Sequence, residues 1–389
     1  MKNILVFIII AMGLAACRRS STITPRDVKG IKTVNIDKNN VVSIYDIFSK
    51  VEIIPLEMTE ESALGYPLRK ILVNDGNYYV LDYTQNTIFK FDSCGKYLDK
   101  INKLGSAPEE YTLLYDFSFN PYNQNLELMS AMGYINIYDH SGEFFKQRVN
   151  LPKTVHSINY FANLSPDKYV FFSNTKEGNK IMLYDIKEKK ITSENYDVPS
   201  FIFTNTPYHH SYSPFYMHND TVCFVQAYNG DVFTICEDGT LKPRFQWNFM
   251  EYNFDISTLK EESLDIVMPG INGFDVLEQM NRKKWIEFIP VIMISSENSD
   301  YYITRFRLKK RYYHLILNKK EGTCLTFNSL KEGCDCFPFL MDNNYLYFYV
   351  SPRELNFALN PDVLNSRDRL KFETVTFDDN PIIIKYTFK

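Results

Sequence analysis

The chain has little that would suit it to bind nucleic acid or to cross a membrane. Its 43 Lys and Arg residues are interspersed with 47 Asp and Glu residues, which gives a formal net charge of −4 and no basic block. Because phosphate binding needs a clustered cationic face, we expect no nucleic-acid partner. Beyond the first twenty residues, no apolar run is long enough for a membrane-spanning helix. The 45% of hydrophobic residues therefore predict a folded body with a substantial core.

Recognisable catalytic and cofactor motifs are also missing. No nucleophile–base pattern, glycine-rich phosphate loop or spaced metal cluster stands out, so we expect no cofactor and no metal. His209, His210, His218 and Asp220 come closest to a metal-binding group. They lie in or beside an aromatic, proline-containing stretch, which favours a surface loop with solvated histidines.

The N-terminus has the order of a bacterial export signal. Lys2 supplies positive charge, Ile4 to Gly13 is an apolar run, and Leu-Ala-Ala-Cys closes it at Cys17. The run is too short to span a membrane and is typical of a signal peptide, here residues 1–17. The ending resembles the lipobox of bacterial lipoproteins, and this resemblance implies that Cys17 carries a lipid anchor. The alternative is an ordinary signal peptide with an incidental cysteine.

The lipoprotein interpretation predicts where the protein resides. Acylated Cys17 would attach it to a membrane of the cell envelope, with the outer membrane expected and its periplasmic or surface face left open. Residues 18–40 would form a linker between the anchor and the folded body.

A strand–turn–strand motif recurs about every 46 residues, which is the period of a propeller blade or solenoid unit. Each copy is an apolar alternation that runs into a polar turn and a second strand, the pattern of a β-hairpin. The copies begin at Ile88, Ile135, Ile181, Val232 and His314, and a last strand runs from Ile382 to Phe388. This repetition predicts an all-β fold, a six-bladed β-propeller over residues 41–389 with a short α-containing insertion.

The spacing of two cysteines in one predicted hairpin is compatible with a disulfide bond. If Asn229-Gly230 is a two-residue turn, Cys223 lies opposite Cys236 at a non-hydrogen-bonded site, where the two chains approach most closely. That spacing is compatible with a disulfide, which would persist outside the cytoplasm. Two reduced thiols packed as small hydrophobic groups are the open alternative.

The segment from Leu68 to Phe119 carries a family resemblance. It contains a hairpin turning at Asp75-Gly76, and a loop from Leu104 to Tyr111 that reads Leu-Gly-Ser-Ala-Pro-Glu-Glu-Tyr. Both resemble the six-bladed β-propeller lipoproteins of Gram-negative bacteria, which are related to NHL-type propellers. Val51–Leu56 is similar to the opening strand of that family. The resemblance implies that this strand pairs with Ile382–Phe388 and closes the ring, which removes exposed strand edges.

The spacing between the fourth and fifth copies is too long for one blade. About 82 residues separate Val232 from His314, against 40–50 for a usual blade. Within the excess, residues 264–297 resemble the middle of a response-regulator receiver domain. In that resemblance Asp265 would be the phosphoacceptor and Ser295 the hydroxyl that senses the phosphoryl group.

A working phosphosite is not expected in this fragment. Aspartyl phosphorylation needs a magnesium ion held by an acidic pair on another strand, and a lysine that counters the phosphoryl charge. Neither occurs at the required place in the sequence. We interpret residues 264–297 as a foreign insertion, with an accidental resemblance of a helical excursion as the alternative.

For function, the leading hypothesis is a lipid-anchored binding or scaffold protein. Loops between blades would present a site for a glycan, a peptide or a partner protein. The alternative is a propeller enzyme, a lyase or hydrolase with a site on the ring axis. Three or more histidines or carboxylates converging on the axis would favour the enzyme, whereas an apolar or tyrosine-lined channel would favour binding.

Overall fold

The computed structural model describes residues 30–36, 40–153, 158–173, 179–197, 212–225, 227, 230–253 and 289–389. These residues form β-strands with three short α-helices. Among them, no helix combines the length and the apolar character needed to span a bilayer.

The elements are numbered in chain order. The first half contains β1 (Ile31–Thr33), α1 (Ile44–Ile47), β2 (Phe48–Pro55), β3 (Lys70–Asn74), β4 (Asn77–Asp82), β5 (Thr87–Phe91), β6 (Tyr97–Ile101), β7 (Leu114–Phe119), β8 (Leu126–Ser130), β9 (Tyr134–Tyr138), β10 (Phe145–Asn150), β11 (Ile158–Ser165), β12 (Lys168–Ser173), β13 (Asn179–Asp185) and β14 (Lys190–Asp197). The second half contains β15 (Phe215–His218), β16 (Thr221–Val225), β17 (Asp231–Ile235), β18 (Leu241–Asn248), β19 (Val291–Glu297), β20 (Tyr301–Leu308), β21 (Arg311–Asn318), β22 (Thr323–Phe327), β23 (Leu340–Met341), β24 (Tyr345–Val350), α2 (Leu355–Ala358), α3 (Ser366–Thr374) and β25 (Ile382–Phe388). The described residues also include 3₁₀ turns at Met250–Tyr252 and Pro361–Val363.

The described strands form six sheets, which are the blades of a β-propeller, and all strand pairs except β1–β18 are antiparallel. Blades 1, 2, 3 and 5 are the consecutive strands β3–β6, β7–β10, β11–β14 and β19–β22. Blade 4 is β15–β18 with β1 added, and blade 6 is β23, β24, β25 and β2. The hairpins predicted from the repeat are the third and fourth strands of blades 1 to 5. The prediction of an all-β, six-bladed propeller is confirmed.

The ring closes as predicted between the two ends of the chain. β2 pairs antiparallel with β25, with Val51 opposite Tyr386 and Pro55 opposite Ile382. An apolar core lies between each pair of neighbouring blades in the described structure. One of these cores joins Phe89 of blade 1 to Ile383 of blade 6, so the last blade packs on the first.

The position of each strand in its blade explains whether its residues are apolar or charged. The central strand β4 is buried on both faces from Tyr78 to Asp82, because each sheet is packed between two neighbours. The outer strand β6 exposes Leu98, Asp99 and Lys100. Charged residues on such an outer strand discourage pairing with another chain.

The structure corrects two predicted boundaries. The linker was predicted to extend to residue 40, but β1 runs parallel to β18 in blade 4, with Ile31 opposite Gln246. Val34, just after β1, is buried in the core between blades 4 and 5. The insertion was predicted to extend to residue 297, but Val291–Glu297 is the first strand of blade 5 and pairs with β20. In both cases residues predicted to lie outside the blades form a blade strand.

Candidate functional site

The first strands of the six blades surround a cavity on the ring axis. From blade 1 to blade 6, the first strand of each blade contacts the first strand of the next. Residues on or next to all six border a cavity of about 260 Å³. Most of the bordering side chains are aromatic or aliphatic, including Tyr160, Phe161, Tyr212, Phe215 and Phe339. No histidine belongs to the described lining.

Asp116 links three consecutive blades at the wall of this cavity. Its Oδ1 lies 2.7 Å from Lys70 Nζ of blade 1, and its Oδ2 accepts a hydrogen bond from the Phe161 N–H of blade 3 at 3.2 Å. The Lys70 ammonium also donates to the Phe117 carbonyl at 2.7 Å. The Asp116 side chain is only 2% exposed, so the ammonium compensates a buried charge. Both carboxylate oxygens are therefore engaged in structural contacts.

Tyr160 contributes a buried hydroxyl and an aromatic face. The Arg69 guanidinium lies 4.7 Å from the centre of its ring, a cation–π contact, and donates from Nε to the Tyr115 carbonyl at 3.2 Å. The Tyr160 hydroxyl has no hydrogen-bond partner in the described part of the protein, although the residue is only 3% exposed. Burial raises the pKa of Tyr160, so the hydroxyl stays protonated at neutral pH.

Asn163, another residue at the cavity border, also has an unpaired polar atom. Its Nδ2 donates to Glu127 Oε2 at 2.8 Å, and Asn120 Nδ2 donates to Glu127 Oε1 at the same distance. Burial raises the pKa of Glu127, while the two amide donors lower it. The Asn163 Oδ1 is buried and has no partner among the described residues.

A charge cluster joins blades 4 and 5 beside the cavity. The fully buried Glu297 carboxylate contacts Arg244 Nη2 and Lys319 Nζ, each at 2.5 Å, and accepts from the Tyr216 hydroxyl at 2.8 Å. His218 Nε2 lies 3.7 Å from Glu297 Oε1. Burial lowers the pKa of Lys319, and the Glu297 contact opposes that shift. This network fixes Tyr216, which also borders the cavity.

The predicted receiver-like positions have separate outcomes. Asp265 lies outside the described residues, as do Cys17, His209 and His210. Ser295 is a buried residue of β19 that borders the cavity, donates to Thr304 Oγ1 at 2.9 Å and accepts from the Tyr302 hydroxyl at 2.7 Å. Its hydroxyl is thus part of the hydrogen bonding within blade 5. No group of three metal-ligand side chains occurs in the described ranges.

The predicted disulfide is wrong in register. Cys223 lies opposite Thr234, not Cys236, and both cysteines are free thiols. Gly230 does not form the corner of a two-residue turn. Its carbonyl accepts from the Trp247 N–H at 2.8 Å, and a Cβ on it would lie 2.3 Å from the Trp247 carbonyl oxygen. Glycine is therefore needed here for close approach of two backbones.

Glu110 and Asp116 lie in the segment that carries the family resemblance, but they have different roles. Glu110 is a turn residue, because its Oε2 accepts from the Ala107 N–H at 2.8 Å. Asp116 instead lies on the innermost strand β7, buried against Lys70. The signal for it was an isolated charge in an otherwise apolar strand, Leu-Tyr-Asp-Phe-Ser-Phe.

Comparison with known families places the chain in one of them. A domain of unknown function, DUF4934, matches residues 30–387. The chain belongs to this family. The match begins at Gly30, next to β1, which agrees with the inclusion of that strand in the propeller.

Two solved structures have the same fold. A protein of Bacteroides fragilis assigned as exported has a TM-score of 0.68 at 13% identity, covering 92% of this chain and 99% of its own. A DUF4221 family member from Bacteroides vulgatus has a TM-score of 0.52 at 10% identity, covering 88% and 97%. At these identities the likeness concerns the fold alone. No curated protein matches the chain.

Proposed function

We propose that this DUF4934 protein is a lipid-anchored binding protein of the cell envelope that holds a small ligand in its axial cavity. The observation that carries the proposal is the lining. It is mainly aromatic and aliphatic and includes a few polar residues, as in small-molecule sites. The volume of about 260 Å³ lies just below the usual range of about 300–1,000 Å³, which favours a small ligand over a folded partner.

The lining favours binding over the alternative of a lyase or hydrolase. General acid–base catalysis needs a titratable group that can exchange a proton with the substrate. The carboxylate of the described lining, Asp116, has one oxygen on Lys70 and the other on the Phe161 N–H. Releasing either contact would leave a buried charge uncompensated.

The proposed location rests on the N-terminal sequence. Residues 1–17 have the order of a signal peptide, and Cys17 stands at the lipobox cysteine. The fold likeness to a Bacteroides protein assigned as exported is compatible with this location. Metabolic labelling with palmitate tests it: the natural chain should become labelled and fractionate with membranes, and Cys17→Ser should do neither. Labelling of the Cys17→Ser chain would contradict the anchor.

Filling the cavity tests the binding site. Ala162 borders the cavity on β11, whereas Ala131 lies in the turn between β8 and β9. Sugars, dipeptides and small carboxylic acids are screened for their effect on the melting temperature, since a ligand that binds only the folded state raises it. At least one class should stabilise the natural protein and Ala131→Phe, but not Ala162→Phe. Equal stabilisation of Ala162→Phe, or of none of the three proteins, would contradict the proposal.

A further inference from the structure

We infer that the boundary between blades 4 and 5 binds a small, singly charged anion, a halide or a carboxylate, between Arg244 and Lys319. This site is separate from the axial cavity, whose described lining contains neither residue. The inference is based on a count of charges. Two cations share one carboxylate, that of Glu297, and no other acidic side chain of the described structure forms an ion pair with either of them.

Both cations contact the same carboxylate oxygen. Arg244 on β18 and Lys319, just after β21, each lie 2.5 Å from Oε1 of Glu297 at the end of β19. Arg244 Nη1 also donates to the Cys223 sulfur at 3.2 Å, and Lys319 Nζ donates to the Asn298 carbonyl. The carbonyl is a neutral acceptor, so it does not balance the second positive charge.

The titratable groups around the two cations do not supply the missing negative charge. Burial raises the pKa of the Cys223 thiol and of the Tyr216 hydroxyl, so both stay protonated at neutral pH. Burial lowers the pKa of His218, so this imidazole is neutral there. The cluster therefore carries one net positive charge at the edge of the apolar core between blades 4 and 5, which contains Tyr216 and Cys223.

An anion from solution can reach this charge. The side chains of Arg244 and Lys319 are each 22% exposed, whereas Glu297 has no exposed surface. The Arg244 Nε–H makes no hydrogen bond within the described structure and is not one of its buried unpaired atoms. A partly buried charge without a counter-charge is costly, and guanidinium and ammonium groups form charge-assisted hydrogen bonds with anions. A single anion that contacts both side chains would neutralise the cluster.

The test compares two lysines that are adjacent in the sequence. Lys319→Met removes the excess charge, whereas Lys320→Met removes a charge from an exposed residue without a described ion pair. Melting temperatures are measured in the sodium salts of chloride, bromide, formate and acetate at an ionic strength of about 0.1 M. Screening depends on the ionic strength alone, whereas a site distinguishes anions of different size and shape.

We expect at least one anion to raise the melting temperature of the natural protein and of Lys320→Met about 2 °C above the value in the other salts. Lys319→Met should melt at the same temperature in all four salts. A lysine that only pairs with Glu297 predicts instead a loss for Lys319→Met that is equal in every salt. Equal melting of the natural protein in the four salts, or the same anion dependence in Lys319→Met, would overturn the inference.

Crystals of the natural protein grown in bromide locate the site even if Lys319→Met fails to fold. We expect an anomalous scattering peak in contact with Lys319 Nζ and Arg244 Nε, and the absence of a peak there would overturn the inference.

The anion site and the axial cavity can be tested separately. Ala162→Phe fills the cavity and should keep the anion dependence, whereas Lys319→Met should keep the stabilisation by a ligand of the cavity. Loss of the anion dependence in Ala162→Phe would place the anion in the cavity and would overturn its assignment to blades 4 and 5.

Discussion

Some contacts between blades depend on a single residue, and Gly95 is the clearest example. It lies in the turn between β5 and β6 with a φ of +88°, and a Cβ on it would lie 2.2 Å from the Pro55 carbonyl oxygen of β2. Its own carbonyl accepts from the Glu57 N–H at 2.8 Å. Glycine here lets blade 1 approach the closing strand of blade 6.

We expect Gly95→Ala to be much more destabilising than Gly76→Ala. Gly76 also has a positive φ, +73°, but no atom lies within 4 Å of its added Cβ. Gly76→Ala should cost about 1 kcal/mol of backbone strain. Gly95→Ala adds about 1–3 kcal/mol because a backbone must move. Urea unfolding of both variants measures the difference, and equal losses would contradict the proposed contact.

Asp335 should make stability depend on pH in acid. Burial alone would raise its pKa, but His314 Nε2 at 3.0 Å and Arg305 Nη1 at 3.2 Å outweigh burial and lower the pKa from 3.8 to about 2. The folded protein thus holds this proton less tightly than the unfolded chain. The stabilisation is complete above the unfolded pKa and is lost as the pH falls through about 2.

Asp335→Asn should therefore lower the free energy of unfolding by about 2 kcal/mol at pH 7, with the deficit shrinking between pH 4 and pH 2. Exposed Asp378→Asn is the control and should change little. Chemical unfolding at several pH values measures both. A deficit that stays constant down to pH 2 would exclude the ion pair as its cause.

At the scale of elements, the terminal strands differ in importance. β25 is central in blade 6, between β2 and β24, whereas β1 is a fifth strand on the edge of blade 4. A chain lacking residues 382–389 should fail to fold, because β2 and β24 lose their partner and the ring opens. A chain starting at Val34 should fold with reduced stability. Circular dichroism and gel filtration compare them, and a monomeric, cooperatively folded chain without β25 would contradict the closure.

The strands and turns were predicted correctly where the hydrophobic pattern of the sequence is periodic. The hairpins, the closing pair and the turn at Asp75-Gly76 are confirmed, and both turn residues have positive φ. The same reasoning failed at Asn229-Gly230, because glycine serves a turn and a close backbone approach equally well. β1 was missed because three residues are too few to show a period.

The candidate site was less predictable than the fold. Its lining comes from six strands that are far apart in sequence, so their side chains meet only through the ring. Asp116 and Lys70 are 46 residues apart, one repeat, and their pairing at 2.7 Å depends on how neighbouring first strands pack. Sequence spacing alone does not predict the register between blades, nor that polar atoms of Tyr160 and Asn163 are left unpaired.

At the scale of the whole molecule, we expect only part of the segment 264–297 between blades 4 and 5 to be dispensable for folding. Blade 5 needs β19, whose Val291 and Ile292 are buried. Replacing residues 264–288, which lie outside the described structure, by a short flexible linker should preserve the fold. Deleting 264–297 should destroy blade 5 and the ring. Melting curves of the two deletions test this, and a large loss from the shorter deletion would refute the insertion hypothesis.

The most direct measurement is a crystal structure of the protein with the small molecule that raises its melting temperature most. The account predicts density for this ligand on the propeller axis, in contact with the aromatic lining residues Tyr212, Phe215 and Phe339. Density on an outer face of the blades, with the axial cavity unchanged, would contradict it.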